Sequence, residues 1–406
     1  MSAMHKQAAG LTPVEEALAR ILADARQISG AEFRPLSECR NRVLASAVHS
    51  AIDVPPADNS SMDGYALRFE DYATGQRRFV LSQRVAAGAV GLPLEPGTAA
   101  RIFTGAELPA GADAVVMQEE ARAQDGAVEF GEGLRPGANV RPRGQDISVG
   151  SLAVEAGTRL SAGHLGLLAS IGLPGVPVLP RLRVAILSTG NELVEPGQPL
   201  APGQIYNSNR YMLSAMLEDL GMAVIDKGIV PDEPEGTRRL LAEAAESADV
   251  VLTTGGVSVG EEDHVKGAVE ALGELQLWKL AIKPGKPLAY GRVAGKPFFG
   301  LPGNPSSVFV TFTVIARPYL QRMQGLTQDL RLQEVQAEAG FDWPKAGKRQ
   351  EYLRGRLETH GDGAVVRLYP NQSSGVLASV AWGNCLVVLP VGKTVNAGEV
   401  VRVLLL

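Results

Sequence analysis

From Arg181 to about Thr327, short apolar runs alternate with stretches of helical periodicity, and this alternation limits the fold more than any other feature of the chain. Val184–Ser188, Val224–Val230 and Asp249–Leu252 read as strands, while Ser208–Leu220, Thr237–Ser247 and the segment after Asp263 read as helices. Strands joined by helix-length crossovers predict a doubly wound parallel sheet covered on both faces. After the third strand comes the most informative turn, Thr253–His264, TTGGVSVGEEDH. Gly255 and Gly256 free the backbone to turn sharply and expose its N–H groups. Asp263 stands near a helix start, where orphan N–H groups and the dipole favour negative charge. Strand, glycine turn and helix start together form an anion cradle. Glu261, Glu262 and Asp263 would repel a bare anion there, so a divalent metal bridging phosphate and carboxylate resolves the conflict. The plainer reading is an ordinary strand-to-helix turn with a solvated acidic rim.

Two later segments share this grammar. Lys279–Pro287, KLAIKPGKP, carries Lys279, Lys283 and Lys286 on a loop stiffened by Pro284 and Pro287, a candidate oxyanion clamp. Phe299–Ser307, FGLPGNPSS, ends a strand, turns through Pro302 to Pro305, and opens a helix at Ser306 or Ser307, where helix capping alone would account for a serine. Ligands of an open α/β sheet bind beyond the carboxyl ends of its strands. Three loops leaving such ends carry acid: Glu192 in STGNEL, Asp232 in IVPDEP, and Asp263. Converging, they would suit Mg²⁺ with oxygen ligands; apart, they are loop-surface acids.

GGVSVGEEDH, KLAIKPGKP and GLPGNP together resemble the molybdopterin molybdenumtransferases, the MoeA family that includes the E domain of gephyrin. The resemblance runs from about Thr12 to the end of the chain. It implies four units: a discontinuous N-terminal helical/mixed domain (1–49 and 148–180), a β-rich insert (50–147), a molybdopterin-binding α/β domain (181–327) and a C-terminal β-barrel (328–406). It also implies that Asp63 in NSSMDGYA, Asp146 in RGQDIS, Glu192, Asp232 and Asp263 are catalytic, with the last three holding the metal. Thr104, Arg141, Gly255, Gly256, Ser258, Lys279, Lys283, Lys286, Pro302, Ser306, Arg354 in EYLRG and Ser374 in PNQSSG would bind substrate. Relatives are dimers in which the insert closes on the partner's α/β domain, so Asp63, Arg141 and Asp146 are expected to meet Glu192, Asp232 and Asp263 across a homodimer interface. The chain departs from many relatives in having Asn191 and Asn207 in place of Asp, and His264 in place of Tyr.

The residues outside the α/β stretch agree with several units. Thr12, Pro13 and Glu15 mark a capped first helix with apolar positions Val14, Leu18, Ile21 and Leu22, stopped by Gly30, and a second helix is expected near Ser37. Phe79–Val85, Ala99–Thr104, Ala114–Gln118 and Ala127–Phe130 read as strands of the insert. Glu334–Glu338, Tyr352–Leu357, Val365–Leu368, Leu386–Val388 and Val400–Leu405 suit a small barrel or sandwich.

With 406 residues, 39 basic against 44 acidic side chains and net charge −5, the chain should hold several domains and offers no general nucleic-acid surface. Two cysteines are too few for a disulfide framework or thiolate metal site, and the reducing cytoplasm is the expected compartment. MSAMHKQAAG lacks a signal-peptide core, and Val308–Ala316 is far short of the roughly 18 apolar residues of a membrane span, so a buried helix is expected there. The function that the resemblance implies is insertion of molybdate into adenylylated molybdopterin with release of AMP, in a Mg²⁺-dependent transferase that can partner the adenylyltransferase supplying its substrate. The alternatives are a molybdopterin adenylyltransferase, against which the two extra β-rich units argue, and a gephyrin-like binding scaffold.

Overall fold

The computed structural model describes residues 10–230, 233–256, 264–327, 330–361 and 363–406. Asp232, Ser258 and Asp263, three of the expected site residues, lie outside them, as do Glu261 and Glu262.

The centre of the molecule is a six-stranded sheet in the order Ala223–Val230, Arg183–Thr189, Val250–Thr254, Lys296–Leu301, Pro287–Val293, Gly273–Lys279. Its first four strands are parallel. The last two are antiparallel to their neighbours, which corrects the expectation of a wholly parallel sheet. The reason is local. Ala294 (φ 47°) and Gly295 (φ 78°) form a two-residue turn of the left-handed kind that joins adjacent antiparallel strands.

Successive strand residues point to opposite faces, and here both faces are covered. Val184, Ile186, Leu252 and Phe299 pack with the helix Ser208–Asp219 and with Phe312, Ile315 and Tyr319 of a later helix. Ala185, Leu187, Val251 and Phe298 pack on the other side against Leu241, Ala244, Val265 and Val269. Burying each such Val, Leu or Phe contributes about 1.5–3 kcal/mol. Double burial also explains why the strands read as unbroken apolar runs rather than alternating ones.

The first helix, Val14–Asp24, sets Val14, Leu18 and Ile21 into this same core. Its start differs from the expectation. Pro13 occupies the cap position without a side-chain hydrogen bond, and Thr12 instead donates its N–H to the Lys279 carbonyl at 2.8 Å. It also ends at Asp24, six residues before Gly30. Only a single 3₁₀ turn, Leu36–Glu38, stands where a second helix was expected. The buried stretch around Val308–Ala316 is helical as expected, but it runs through a π segment, Phe312–Ala316, into Arg317–Met323. Wider π turns displace the backbone bonds that a proline would break, which lets Pro318 sit inside rather than end the rod.

The insert forms a second six-stranded sheet, ordered Ala114–Met117, Gly64–Leu67, Thr98–Ile102, Arg78–Val85, Ala127–Phe130, Ala121–Gln124. The chain on either side of it pairs with itself, Glu32–Pro35 with Gly175–Val178 and Val48–His49 with Leu152–Val154. At the C-terminal end Gln350–His360, Gly363–Leu368, Glu334–Ala339, Val400–Leu405 and Cys385–Leu389 pair in that order and close back on Gln350–His360. This is a closed five-stranded barrel, to which Ile282–Lys283 adds a short parallel strand from the α/β unit. That pairing fastens the lysine loop to the barrel.

Candidate functional site

A cleft of about 1070 Å³ lies between the carboxyl ends of the parallel strands and the barrel. Its floor comes from the glycine turn. Gly255 (φ +84°) and Gly256 (φ +63°) hold backbone conformations that L side chains rarely adopt. A Cβ on Gly255 would lie 2.6 Å from the Thr189 carbonyl oxygen, and one on Gly256 would lie 2.5 Å from Val265 Cγ2. The close packing of two strand ends and the next helix therefore requires glycine at both positions. Gly255→Ala is expected to cost about 1–3 kcal/mol through strain and clash. Chemical denaturation measures it, and an unchanged midpoint would contradict this account of the floor.

One wall carries the acid. Glu192 lines the cleft, its carboxylate folded against Gly190 so closely that a Cβ there would clash with Oε2. Among the described residues no group of three or more His, Cys, Asp or Glu stands ready to hold a metal. Asn207 also lines this wall; its side chain caps the helix Ser208–Asp219 by accepting from the Arg210 N–H at 3.4 Å, a role for which Asn serves as well as Asp.

The side fastened to the barrel carries cations. Lys283, Lys286 and Arg349 all line the cleft. Lys283 Nζ donates to Glu351 Oε1 at 3.1 Å and lies 5.9 Å from the Trp343 ring. Glu351 is buried, and its second oxygen meets no partner. The Lys286 carbonyl accepts from the Leu280 N–H at 2.8 Å, which pins the backbone of the loop, while its ammonium has no ion-pair partner among the described residues. Arg349, missed in the sequence reading, is tied by Nη1 to the Ile282 carbonyl at 3.0 Å. Pro302 and Ser374 line the cleft as expected.

Three expected contacts fall elsewhere. Lys279 ends an edge strand and does not line the cleft. Ser306 is wholly buried: its N–H donates to the Ser374 carbonyl and its hydroxyl to the Val376 carbonyl, both at 3.0 Å, so it clamps the helix Pro305–Thr311 to the barrel. The cap of that helix is Asn304, and the serine on the cleft is Ser307. Arg354, neither cleft-facing nor exposed, is 1% accessible. Its guanidinium donates to Ser379 Oγ at 2.9 Å and the Ser373 carbonyl at 3.0 Å, from behind the loop that presents Ser374. Burial pushes its pKa down to about 10, leaving it a cation at neutral pH.

Asp63, Thr104, Arg141 and Asp146 stand on the insert, and no residue of 50–147 lines the cleft within one chain. Arg141 pairs through its strand with Asn59, and the Asp146 N–H donates to the Val54 carbonyl. Asp63 and Thr104 do meet: Oδ1 of Asp63 accepts from both the backbone N–H and the hydroxyl of Thr104 at 2.8 Å. These donors, the backbone first, hold the Asp63 carboxyl below the ordinary aspartate range. A depressed carboxyl supports the fold at and above that range and loses its contribution only as the pH falls below it. Thr104→Val keeps the backbone donor and should raise the Asp63 pKa part of the way back. Carboxyl-carbon NMR titration checks this, and an unmoved midpoint would contradict it.

Family comparisons agree with this layout. Residues 12–172 match the MoeA N-terminal region (domain I and II), residues 185–322 a probable molybdopterin binding domain, and residues 336–406 the MoeA C-terminal region (domain IV). The chain is 39% identical to the molybdopterin molybdenumtransferase of Haemophilus influenzae over 92% of this chain and 93% of that one. It is 38% identical to the protein of the same name from Nostoc sp., over 92% and 88% of the two chains. A crystal structure of the molybdopterin biosynthesis moeA protein of Pyrococcus horikoshii superposes with a TM-score of 0.82 at 29% identity, covering 98% of this chain and 100% of that one. With all three regions matched in order, and relatives alike over nearly the whole length, the chain belongs to the MoeA family.

Proposed function

We propose that the chain is a molybdopterin molybdenumtransferase: it inserts molybdate into adenylylated molybdopterin and releases AMP, a step of molybdenum cofactor synthesis. The observation that carries this reading is the cleft itself, which Glu192 lines together with the cations Lys283, Lys286 and Arg349. An adenylylated pterin presents a pyrophosphate, and molybdate is a tetrahedral dianion. Both need fixed cations and N–H donors, which bind best when held in place before the ligand arrives. Direct attack on phosphorus by an oxygen of molybdate or water, with AMP leaving, needs no covalent intermediate.

Glu192 fits one ligand of a hard, oxygen-bound cation, and Asp232 and Asp263, which lie outside the described residues, would complete the set. Mg²⁺ held there would stabilise charge on the phosphates when bound. The chain's own part is separable from the metal. Lys286 offers the oxyanion an ammonium without an ion pair among the described residues, Lys283 is steadied by Glu351, and Ser374 is held on the cleft by the Ser306 clamp. The buried cysteines Cys39 and Cys385, both free, suit the cytoplasm as the compartment. No helix of the described residues is long and apolar enough to cross a membrane.

Thermal melting with AMP and Mg²⁺ separates this function from a scaffold. The transferase should melt higher with AMP and Mg²⁺ together than with AMP alone, whereas a scaffold with a dead cleft would gain nothing from adding Mg²⁺ to AMP. The partner supplying Asp63, Arg141 and Asp146 is proposed to be a second copy of the chain, since these residues lie off the cleft within one chain. Mixed dimers of Asp63→Ala and Glu192→Ala chains should then regain activity, because one site keeps both acids. Verified mixed dimers that stay inactive would mean the two acids serve one chain or separate tasks.

A further inference from the structure

A second concavity, of about 520 Å³, opens at the other end of the central sheet. Arg183 and Lys296 are the first residues of their strands, and Asp249 immediately precedes Val250–Thr254, so these groups sit at the amino ends of parallel strands. The cleft described above lies at the carboxyl ends, which places the two cavities at opposite edges of the same sheet.

The charge of this concavity is unlike that of the chain. Five cations line it against two carboxylates, in a protein of net charge −5. Both carboxylates are already committed. Asp249 takes Arg183, with Nη2 at 2.8 Å from Oδ1, and Asp24 takes Arg292, with Nη2 at 2.8 Å from each oxygen. Arg26, Arg181 and Lys296 remain, none of them ion-paired among the described residues. Part of this excess has a structural account: helices Ser208–Asp219 and Pro234–Ser247 run antiparallel to the strands and end on this side, where the dipole favours cations. That account does not require the cations to converge on one hollow, and concave surfaces of one sign focus the field and gather counter-ions. Arginine is suited to phosphate because its planar fork donates two parallel hydrogen bonds. Ile28, Pro180, Pro297 and Met323 add an apolar wall, beside the polar groups of Gln27, Ser29 and Tyr319.

From a cationic rim, an apolar wall and a volume within the range of small-molecule sites, we infer that this concavity binds a mononucleotide. Its phosphate would lie among Arg26, Arg181 and Lys296, and its base against the prolines and Met323.

The test uses the full chain carrying Lys283→Ala and Lys286→Ala, which removes two of the three cations of the first cleft, so that the charge variants of the second concavity assign the AMP site that remains. Isothermal titration in Mg²⁺-free buffer, with AMP and separately with pyrophosphate, should show one AMP site per chain, at least as tight as pyrophosphate. Adding Arg181→Glu and Lys296→Glu should weaken AMP at least about tenfold, since charge-assisted hydrogen bonds are the stronger class. If that variant does not fold, Arg181→Gln with Lys296→Gln serves in its place and should weaken AMP in the same direction. Absence of AMP binding, binding of pyrophosphate alone, or AMP binding undiminished in the folded charge variants would overturn the inference.

Discussion

Lys286→Ala is expected to cut AMP release roughly a hundredfold or more while leaving the fold intact, the size of loss seen when one donor to a transition-state anion is removed. The expectation rests on a difference between two neighbouring lysines. Lys283 is already engaged by Glu351 at 3.1 Å, so part of its charge is answered within the protein. Lys286 stands exposed on the same cleft with its backbone pinned through the Leu280 N–H and no ion pair among the described residues. Losing its ammonium removes a preplaced charge and no packing. Steady-state AMP release with saturating molybdate, alongside a melting curve, checks both halves. Turnover above about a tenth of wild type would remove Lys286 from the reacting phosphates.

Arg354→Ala should act differently, lowering stability by about 3 kcal/mol or more and activity with it. Arg354 is almost wholly buried, and no carboxylate pairs with it among the described residues. Its side chain answers Ser379 Oγ and the Ser373 carbonyl, while its backbone exchanges two 2.9 Å hydrogen bonds with the Gln372 side chain. Truncation leaves a cavity and buried acceptors without donors, behind the loop that sets Ser374 on the cleft. Arg354→Lys should recover only part of the loss, because one ammonium cannot reach both acceptors as a planar fork does. Urea denaturation measures the stability, and molybdate titration of turnover measures the loop. Unchanged stability together with a raised molybdate requirement would restore Arg354 to the role of direct oxyanion ligand.

The part of the site legible in the sequence was the part written in backbone chemistry. Gly255 and Gly256 announce positive φ at a strand end, and the φ values of +84° and +63° follow. The lysine loop was legible because proline and glycine leave few conformations for it. The exchange of roles between Arg349 and Arg354 was not. Strand Gln350–His360 buries Tyr352 and Leu353 in succession, so period-2 alternation does not reveal which arginine faces the cleft. The clamp role of Ser306 was hidden for a related reason: its partners, the Ser374 and Val376 carbonyls, lie about 70 residues further along the chain, and only the closed barrel brings them near. The antiparallel edge of the central sheet escaped because its turn is Ala-Gly, a weaker hairpin signal than Asn-Gly or Asp-Gly. Asp63 was read from family likeness alone, and the geometry adds its Thr104 donors.

The central claim is that this cleft joins molybdate insertion to cleavage of the adenylylated pterin. The most direct measurement supplies adenylylated molybdopterin and Mg²⁺ to the purified chain, with and without molybdate, and follows AMP. The account predicts that molybdate brings on AMP release together with molybdenum bound to the pterin product. AMP release that ignores molybdate and leaves the pterin free of molybdenum, or no AMP in either case, would contradict it.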